Sequence, residues 1–477
     1  MDEINGAPLA SLPGDMFKLL LQHTAASEGA ARLGQMSFRS TTTTLKTPNY
    51  IVPTSRGAIP HLTQDNVQKH TKIAAVYHSL EDFIEKSPTD APIYSTPVQT
   101  GESRLRRYTC LPDQCVSLLG PRRVPSIECP ASNTNSAIAI STSVGFRWLE
   151  LEQYNEAIKK LRADVSMTLA DVIPTKNPGF KRLEKSADRT HAWLRDTVEA
   201  RRKDDGRSDP LPPIFASIPP LEPERLSFLL SDLRDDYRSH ISGLCTYSLS
   251  TFASLPEDLR REPTICLDDP PTPQAVLAAV QAGVDLLTVP FVTRASEHGI
   301  ALSFSFPDSG AGSETLDKPL GVDMWSTEHA TDLSPLSSGC ECYACEHHHR
   351  AYVHHLLQAS EMLAWTLLQI HNYSVIDSFF TNVRHSIEQG TLENDTTTFS
   401  RAYQSELPKQ TGKGPRVRGY QMKSQGRGEP KKNPKAYGRL DDQLQKLAEA
   451  ESGVATPDGN AEDIEEHGLA QRVPQEQ

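Results

Sequence analysis

The amino-acid sequence predicts an α/β protein whose parallel sheet closes into a barrel, followed by a metal-binding helical segment and a tail without fixed structure. Three observations support this prediction. Short apolar runs alternate with segments of helical periodicity between residues 136 and 291, as in proteins built from strand–helix–strand units. The chain of 477 residues is long enough for a closed barrel. Three cysteines, Cys340, Cys342 and Cys345, lie within six residues of one another.

The N-terminal part of the chain gives the weakest signals. We interpret residues 1–29 as an N-terminal extension, because they show no sustained periodicity. Residues 47–54 alternate between apolar and polar side chains and are bounded by prolines, which predicts a short strand. Residues 80–135 are rich in proline, serine and cysteine. We therefore expect irregular surface structure there.

The middle of the chain repeats strands and helices in alternation. The spacing of apolar residues predicts strands over 136–140, 164–170, 213–218 and 241–247, and helices over 148–161, 180–202 and 223–239.

The clearest strand–helix–strand unit lies in residues 264–291. An apolar strand at 264–267 precedes an alanine- and valine-rich helix at 274–281, and a second strand follows at 284–291. Thr272 is a suitable N-cap for the helix, Pro273 suits its first position and Gly283 supplies the stop. The repetition of such units predicts a parallel sheet.

The sequence also indicates the cellular compartment of the protein. No run of about 18 apolar residues occurs, so we expect no transmembrane segment. The N-terminus lacks the basic, apolar and small-residue regions of a secretory signal. We therefore expect a cytoplasmic protein in which the five cysteines outside the cluster are reduced.

Charge is distributed unevenly along the chain, whose formal net charge is −12. Residues 401–440 contain 11 Lys and Arg against 2 Asp and Glu, and residues 441–477 contain 2 against 10. The first 400 residues therefore carry −13. An acidic globular part is not typical of a protein whose main task is to grip nucleic-acid phosphates by itself.

The cysteine cluster predicts a zinc site. Three neighbouring thiolates cannot all pair with one another, but they can occupy three corners of a tetrahedron around one zinc ion. The residues by themselves leave the fourth ligand open among His347, His348, His349, His354, His355 and His371. His371 can return to the cysteines only if the helical stretch reverses. Residues 358–361 allow this, with Ser360 as the N-cap of a second helix.

The same residues closely resemble the zinc segment of the tRNA-guanine transglycosylases. The shared pattern is Cys-x-Cys-x2-Cys with a histidine 26 positions after the last cysteine, and Arg350-Ala-Tyr-Val-His-His-Leu-Leu357 lies between them. The resemblance implies that His371 completes a structural Zn²⁺ site with Cys340, Cys342 and Cys345. It also implies a TIM-type (β/α)8 barrel over residues 30–390, including the zinc segment 340–371. The composition of residues 391–477, which is basic and then acidic, predicts a disordered tail.

Residues 283–294 resemble the strand that carries the catalytic nucleophile of this family. The family pattern Gly-[VI]-Asp-Met-Phe-Asp-Cys-Val-x-Pro-Thr-Arg fits this stretch in register at both ends, which puts Thr288 at the position of the nucleophilic aspartate. A neutral hydroxyl without a partner base cannot replace a carboxylate that attacks an anomeric carbon. Asp285, three residues earlier, belongs to the opposite face of an extended strand. We therefore expect no catalytic residue.

Two further parts of the family pattern lack counterparts. The Ser-Gly-Gly-Phe-Gln segment, which carries the second catalytic aspartate, has no match between Tyr94 and Gly145, and the glycine-rich base-binding loop is reduced to residues 242–248. Asp171 follows the strand at 164–170, near the place of a base-reading aspartate in the active enzymes. We expect it to be an ordinary exposed carboxylate.

These departures make the chain similar to the non-catalytic members of the family. The resemblance implies a heterodimer with a catalytic subunit, which exchanges guanine for queuine at the wobble position 34 of the tRNAs for Asp, Asn, His and Tyr. It implies that this chain supports tRNA binding and assembly, with partner contacts around Tyr352, Leu356, Trp365 and Ile376. It leaves open a peripheral place on the mitochondrial outer membrane.

Two other functions stay open on the sequence. One is an active transglycosylase with a rearranged site that uses Asp285 or Asp171. The other is a stand-alone zinc- and RNA-binding protein that acts through its basic tail.

Overall fold

The computed structural model describes residues 16–22, 31–38, 44–85, 89–129, 131–142, 145–173, 178–204, 211–308 and 317–415. Its centre is a closed barrel of eight parallel strands, which confirms the predicted (β/α)8 fold class. Each barrel strand pairs with the next barrel strand along the chain, and the last pairs with the first. Closure removes the open edges of this sheet.

Fifteen strands occur in the described ranges. They are β1 (Phe17–Gln22), β2 (Arg32–Ser37), β3 (Thr44–Thr47), β4 (Asn49–Pro53), β5 (Ala75–Ser79), β6 (Val116–Gly120), β7 (Ala137–Thr142), β8 (Gly145–Glu150), β9 (Val165–Met167), β10 (Ile214–Ile218), β11 (Gly243–Thr246), β12 (Thr264–Cys266), β13 (Leu286–Thr288), β14 (Ile300–Leu302) and β15 (Gly321–Asp323). The barrel consists of β4, β5, β6, β9, β10, β11, β12 and β13, in this order around its circumference.

Helices separate the barrel strands and extend the chain beyond them. They are α1 (Gln64–His70), α2 (Arg104–Thr109), α3 (Leu151–Leu161), α4 (Phe180–Arg202), α5 (Ser227–Asp235), α6 (Leu249–Ala253), α7 (Glu257–Arg260), α8 (Pro273–Gln281), α9 (Pro290–Glu297), α10 (Tyr343–His347), α11 (Arg350–Gln358), α12 (Met362–Gln389) and α13 (Leu392–Ala402). None of these described helices combines the length and the hydrophobicity that a bilayer crossing requires.

The interior of the barrel is filled by alternate side chains of its strands. Because neighbours along a strand point to opposite faces, Tyr77 and Phe215 pack inside the barrel. Val76 and Ala216, which precede and follow them, pack outward in the cluster that includes the surrounding helices. Gly120 on β6 makes room for the Tyr77 ring, since a Cβ at this position would lie 1.9 Å from the tyrosine oxygen.

A three-stranded antiparallel sheet of β1, β2 and β3 precedes the barrel and is tied to it by a buried ion pair. Arg32 on β2 donates from Nε to Oδ1 of Asp285 at 2.9 Å and from Nη2 to Oδ2 at 2.5 Å. Asp285 also accepts the backbone N–H of Thr264 at 2.8 Å. The other guanidinium bonds of Arg32 reach the carbonyls of Arg261 and Glu262. Asp285 therefore has a structural role at the amino-terminal ends of β12 and β13.

The 28-residue helix α12 packs against the first barrel strand, β4, and against α9, which follows the last barrel strand. Tyr50 on β4 stacks on Tyr373 of α12 with ring centroids 6.0 Å apart, and it contacts Phe380 at 5.4 Å. The Tyr50 hydroxyl donates to Asp377 at 2.5 Å. These contacts fix the helix that carries His371 relative to the barrel.

Residues 80–135 differ from the irregular structure that their composition indicated. They contain α2 and the barrel strand β6, whose five residues are all buried. A parallel strand that is covered on both faces shows no apolar–polar alternation. This is why the periodicity of β6 was not visible in the sequence.

The stretch that follows β6 also departs from the prediction. The strand expected at 136–140 forms as β7, but it pairs with β8 in an antiparallel hairpin outside the barrel. The helix expected from residue 148 begins at Leu151, because Trp148 belongs to β8. The barrel takes its fourth strand, β9, only after this hairpin and α3.

Ordered structure continues past the boundary expected at residue 390. Residues 392–402 form α13, whose Phe399 is fully buried. Beyond it, Leu407 packs against the core, and the backbone of Gly412 lies against Trp325. The prediction of disorder is therefore wrong for residues 391–415, because a few apolar anchors suffice to hold a mostly polar segment. Residues 416–477 lie outside the described part of the chain.

We expect a large loss of folding stability when the Arg32 side chain is truncated and its pair with Asp285 is lost. We expect Arg32→Met to lower the free energy of unfolding by about 3–5 kcal/mol, because it leaves a buried carboxylate without its partner. Chemical denaturation should show this shift. The matched control is Arg234→Met, which removes the exposed Arg234–Asp258 pair and should change stability by about 1 kcal/mol or less. Equal effects of the two substitutions would contradict the prediction.

Candidate metal centre and barrel mouth

The structure brings Cys340, Cys342, Cys345 and His371 together. Nδ1 of His371 lies 3.6 Å from Sγ of Cys340, 3.6 Å from Sγ of Cys342 and 3.4 Å from Sγ of Cys345. All four candidate ligand atoms lie within 4.8 Å of one another. Cys342 and His371 are buried, whereas Cys340 and Cys345 are half-buried. The cluster could hold one metal ion.

The distances and the donor atoms fit a four-coordinate ion. Zinc–sulfur bonds of about 2.3 Å and zinc–nitrogen bonds of about 2.0–2.1 Å give tetrahedral sulfur–nitrogen edges of roughly 3.5 Å. Nε2 of His371 donates to the carbonyl of Leu302 at 2.8 Å, which leaves the Nδ1 lone pair directed at the cysteines. The neighbouring Cys342 and Cys345 thiols hold the pKa of Cys340 well below its ordinary value, which favours a thiolate.

A reversal between α11 and α12 returns His371 to the cysteines. Ser360 adopts a left-handed conformation with φ 58°. Its N–H donates to the carbonyl of Leu357, and the N–H of Glu361 donates to that of Leu356, each at 2.9 Å. This is the Schellman termination of a helix. The reversal was predicted, but the N-cap of α12 is Glu361 and not Ser360, because Ser360 is needed to end α11.

The other histidines of the segment make different contacts. Nδ1 of His354 lies 2.9 Å from the carbonyl of Met324, and Nδ1 of His347 lies 3.2 Å from that of Tyr343. His349 instead accepts the backbone N–H of Tyr352 as the N-cap of α11. Of the histidines that the sequence left open, His371 is the one within the ligand group.

Thr288 lies at the carboxyl end of β13, where barrel enzymes of this type place their catalytic residues. The side chain is fully buried, and its hydroxyl donates to the carbonyl of Asp268 at 2.5 Å. The Asp268 carboxylate accepts the backbone N–H groups of Leu249 and Asp269. The hydroxyl of Thr288 thus donates its hydrogen bond to a carbonyl oxygen, which cannot act as a base.

Asp171, after β9, is buried and held by two arginines, so the expectation of an exposed carboxylate was wrong. Arg182 donates to its two oxygens at 2.6 and 2.7 Å, Arg189 donates at 3.0 Å, and Asn133 donates at 2.5 Å. Burial by itself would raise the pKa of Asp171, but these bonds outweigh it and hold the pKa below its ordinary value. The carboxylate stays ionised and its lone pairs are occupied.

A third charged cluster lies where β5 and β6 end. Arg123 donates from its backbone N–H to Glu81 at 2.7 Å and from Nε to Asp82 at 2.7 Å. Its Nη1 donates to the carbonyl of Ser141 on the hairpin strand β7. All three charged residues are buried. The ion pairs join the loops after two barrel strands to the hairpin. They occupy space at the carboxyl-terminal end of the barrel strands, here called the barrel mouth.

These arginine–carboxylate clusters were not identified from the sequence. Arg182 and Arg189 lie on α4 at i and i+7, which is a helical spacing. Their partner Asp171 lies on another element, and nothing in the local sequence connects them. One signal was available in the sequence. An aspartate at the end of a strand is followed by a helix that carries two arginines on one face.

The expected partner contacts are mostly part of the core. Leu356, Trp365 and Ile376 are each at most 7% exposed and pack inside the fold, so they cannot form a surface as expected. Tyr352 is half-buried, and its ring stacks on His348 at 5.2 Å. It belongs to a series of ring contacts within residues 340–371, here called the metal segment, that continues through Tyr343.

The metal cluster generates a prediction that has a matched control. Cys342→Ser should abolish stoichiometric metal binding and lower the melting temperature, because metal binding to a site formed only on folding contributes to folding free energy. The control is Cys110→Ser, at an exposed cysteine remote from the cluster, which should change neither quantity. Elemental analysis measures the metal content, and thermal unfolding measures the melting temperature. A Cys342→Ser protein with full metal content and unchanged melting would contradict the four-ligand assignment.

Comparison with known proteins agrees with this geometry. The family model for queuine tRNA-ribosyltransferase matches residues 27–405. The queuine tRNA-ribosyltransferase accessory subunit 2 of Schizosaccharomyces pombe is 34% identical over 401 residues, which cover 83% of this chain and 87% of that one. The protein of the same name from Xenopus tropicalis is 30% identical over 412 residues, covering 76% and 94% of the two chains. That of Anopheles gambiae is 27% identical over 363 residues, covering 73% and 82%. The barrel, the metal cluster and these matches together establish that the chain belongs to the queuine tRNA-ribosyltransferase family.

Proposed function

We propose that this chain is the non-catalytic subunit of a heterodimeric queuine tRNA-ribosyltransferase. The observation that carries the proposal is the state of the barrel mouth. Thr288, at the position that the resemblance gives to the nucleophile, donates its hydroxyl to a carbonyl. Asp171, at the carboxyl end of β9, is ion-paired with Arg182 and Arg189. Exchange of a base on ribose needs a free carboxylate nucleophile and a second group for proton transfer. The relatives named accessory subunit 2 support the same assignment.

The active-enzyme alternative loses support from the same contacts. Asp285 lies at the amino-terminal end of β13, in a buried pair with Arg32, whereas barrel enzymes work at the carboxyl ends of the strands. Asp171 is at the correct end but is enclosed by arginines. Neither carboxylate is free to attack a sugar.

The metal of the cluster is, we infer, a structural zinc ion. Four protein ligands leave no position open for water or substrate, as in structural zinc sites. The ion would join the loop of the cysteines to α12 and thereby fix the metal segment against the barrel. The reaction itself belongs to the partner subunit.

We further infer that the partner is a catalytic paralogue and that the substrate is tRNA with guanine at wobble position 34, in the tRNAs for Asp, Asn, His and Tyr. The half-exposed rings of Tyr343, His348 and Tyr352 on the metal segment form the proposed partner surface. Aromatic residues at such surfaces contribute large contact area at low entropic cost. The net charge of the first 400 residues fits a subunit that shares an RNA with a partner rather than holding it unaided.

The central prediction concerns covalent chemistry. The purified chain alone should exchange no guanine and form no covalent adduct with tRNA on a denaturing gel, because Thr288 has no carboxylate and Asp171 is ion-paired with two arginines. The catalytic subunit is the positive control. Thr288→Asp should also be inactive, since it supplies neither the second proton-transfer group nor an open base pocket. An adduct trapped with this chain alone would overturn the proposal.

The partner surface gives a second prediction. Tyr352→Glu should abolish co-elution with the catalytic subunit, because it puts a charge where an aromatic ring is buried in the complex. The control is Tyr108→Glu, at a tyrosine that is 44% exposed on α2, which should leave a 1:1 complex. If the catalytic subunit alone proves fully active and never co-elutes with this chain, the accessory role is wrong.

A further inference from the structure

A groove of about 560 Å³ lies between the beginnings of α4 and α5. One wall is α4, which contributes Phe180, Glu184 and Asp188, and their spacing of four residues puts them on one face of the helix. The other wall is the turn Pro223–Leu226 together with the first residues of α5. A volume of this size accommodates a small ligand or a few side chains of a partner.

Two phenyl rings in this groove are exposed to solvent. Phe180 is 62% exposed and Phe228 is 77% exposed, although both belong to helices that pack on the core. The walls themselves are held by buried side chains, among them Ala187 of α4 and Leu226 at the start of α5. The groove is therefore preformed. A partner that covers the rings removes apolar surface from water without first having to order the site.

The groove is negatively charged. Its charged lining consists of four carboxylates and one guanidinium, which belong to Glu184, Asp188, Glu222, Glu224 and Arg225. All four carboxylates are exposed, and none of them forms an ion pair or a side-chain hydrogen bond with another residue of the described ranges. Lys181 and Lys185 on α4 lie outside the groove lining. The negative charge is thus left for a ligand to compensate.

Arg225 shows which kind of cation suits the groove. Its guanidinium lies over the Phe180 ring, 4.4 Å from the ring centroid. This is the geometry in which the negative face of an aromatic ring attracts a cation. The Phe228 ring makes no ring or cation contact of this kind with the described part of the chain. It is open to a second guanidinium or to an apolar side chain.

The groove lies on the opposite side of the barrel from the metal segment. Its helices α4 and α5 follow β9 and β10, which are neighbours in the barrel. The helix α12, which carries His371, packs against β4 and against α9, which follows β13. In the closed order of eight strands, the β9–β10 pair is diametrically opposed to the β13–β4 pair. A protein seated in the groove leaves the metal segment accessible.

We propose that this groove is a docking site for a basic segment of a further protein. Arginine or lysine side chains of that segment pair with the four carboxylates, and an apolar side chain packs on Phe228. The charge decides against nucleic acid and anionic membranes, because both present phosphates that the carboxylates repel. The proposed function uses the metal segment and the barrel mouth, so this docking site is a second interaction surface beyond it.

The test measures binding of a fluorescein-labelled peptide, Arg-Leu-Gly repeated three times, to the full-length chain by fluorescence anisotropy. Titrations at about 50 and 200 mM salt separate screened from unscreened contacts. The first variant neutralises the groove with E184Q, D188N, E222Q and E224Q. We expect its dissociation constant for the peptide to rise at least about tenfold at the lower salt concentration and by less at the higher one.

The matched control removes the same number of exposed carboxylates away from the groove. It carries E102Q, E152Q, E388Q and E393Q. Its net charge equals that of the groove variant, so a difference between the two reports the site and not the overall charge. We expect the control to bind the peptide within about twofold of the unsubstituted chain.

A second variant tests the apolar contact without changing the charge. Phe228→Ala should weaken peptide binding about 3–10-fold at both salt concentrations, because salt does not screen an apolar contact. The matched control is Leu333→Ala, at an apolar side chain that is 75% exposed outside the groove, and it should bind as the unsubstituted chain does. All of these positions are exposed, so thermal unfolding should be unchanged in every variant.

Several results would overturn the inference. The unsubstituted chain could fail to bind the peptide, or it could bind a Glu-Leu-Gly peptide of the same length equally well. Equal weakening in the groove variant and its charge control would assign the binding to net charge. A dimer of this chain that Phe228→Ala converts to a monomer in sedimentation would assign the groove to a second copy.

Titration of the heterodimer separates this inference from the proposed function. The heterodimer should bind the peptide as tightly as the chain alone, because the groove faces away from the metal segment. Loss of peptide binding when the heterodimer forms would place the groove in that interface and overturn the docking site. If no heterodimer forms, the proposed function fails, whereas the peptide titrations of the chain alone still decide the role of the groove.

Discussion

Closure of the barrel through the parallel pairing of β13 with β4 is the constraint on which the rest of the structure depends. The pairing joins Leu286, Leu287 and Thr288 to the first strand of the barrel. It removes the last open edge and brings the carboxyl ends of all eight strands to one face. α12 packs against β4 through the contacts of Tyr373 and Phe380 with Tyr50. Both β13, which carries Thr288, and the helix α12, which carries His371, are therefore positioned by contacts with β4.

The carboxyl-terminal end of the barrel holds buried carboxylates that are paired with arginines. A strand-end carboxylate such as Asp171 is costly to bury alone, because an unpaired charge loses its hydration. Here the cost is offset by Arg182 and Arg189, and at the next loops by Arg123 with Glu81 and Asp82. Each arginine that stabilises a carboxylate also blocks its access to a substrate. Stability of the mouth and catalysis at the mouth thus compete for the same groups.

The charge pattern and the metal segment lead to one view of the subunit. Zinc, in our proposal, fixes α12 and the cysteine loop into a rigid surface, and the aromatic rings around Tyr352 are presented on it. Residues 403–415 pass beside this surface, where Gly412 lies against Trp325. In the proposed function, the net charge of −13 on the first 400 residues fits a subunit that shares an RNA with its partner.

The sequence by itself determined the elements whose signals are local. Strand–helix periodicity predicted the α/β barrel, the boundaries of α4 and α8 agreed closely with their apolar spacing and caps, and the cysteine spacing indicated a metal site. The alignment of Thr288 with the nucleophilic aspartate was an expectation from the family resemblance, in which residues 283–285 and 293–294 fix the register. Resemblance to known transglycosylases was needed to choose His371 among six histidines.

Only the tertiary structure decided the features that depend on pairing between distant residues. It moved 136–140 into a hairpin, made β6 a barrel strand, extended order to residue 415 and buried Leu356, Trp365 and Ile376. It joined Asp171 to Arg182 and Arg189 and Asp285 to Arg32. The physical reason is common to these cases: burial and ion pairing are set by neighbours far away in the chain, whereas periodicity and capping depend on residues within a few positions.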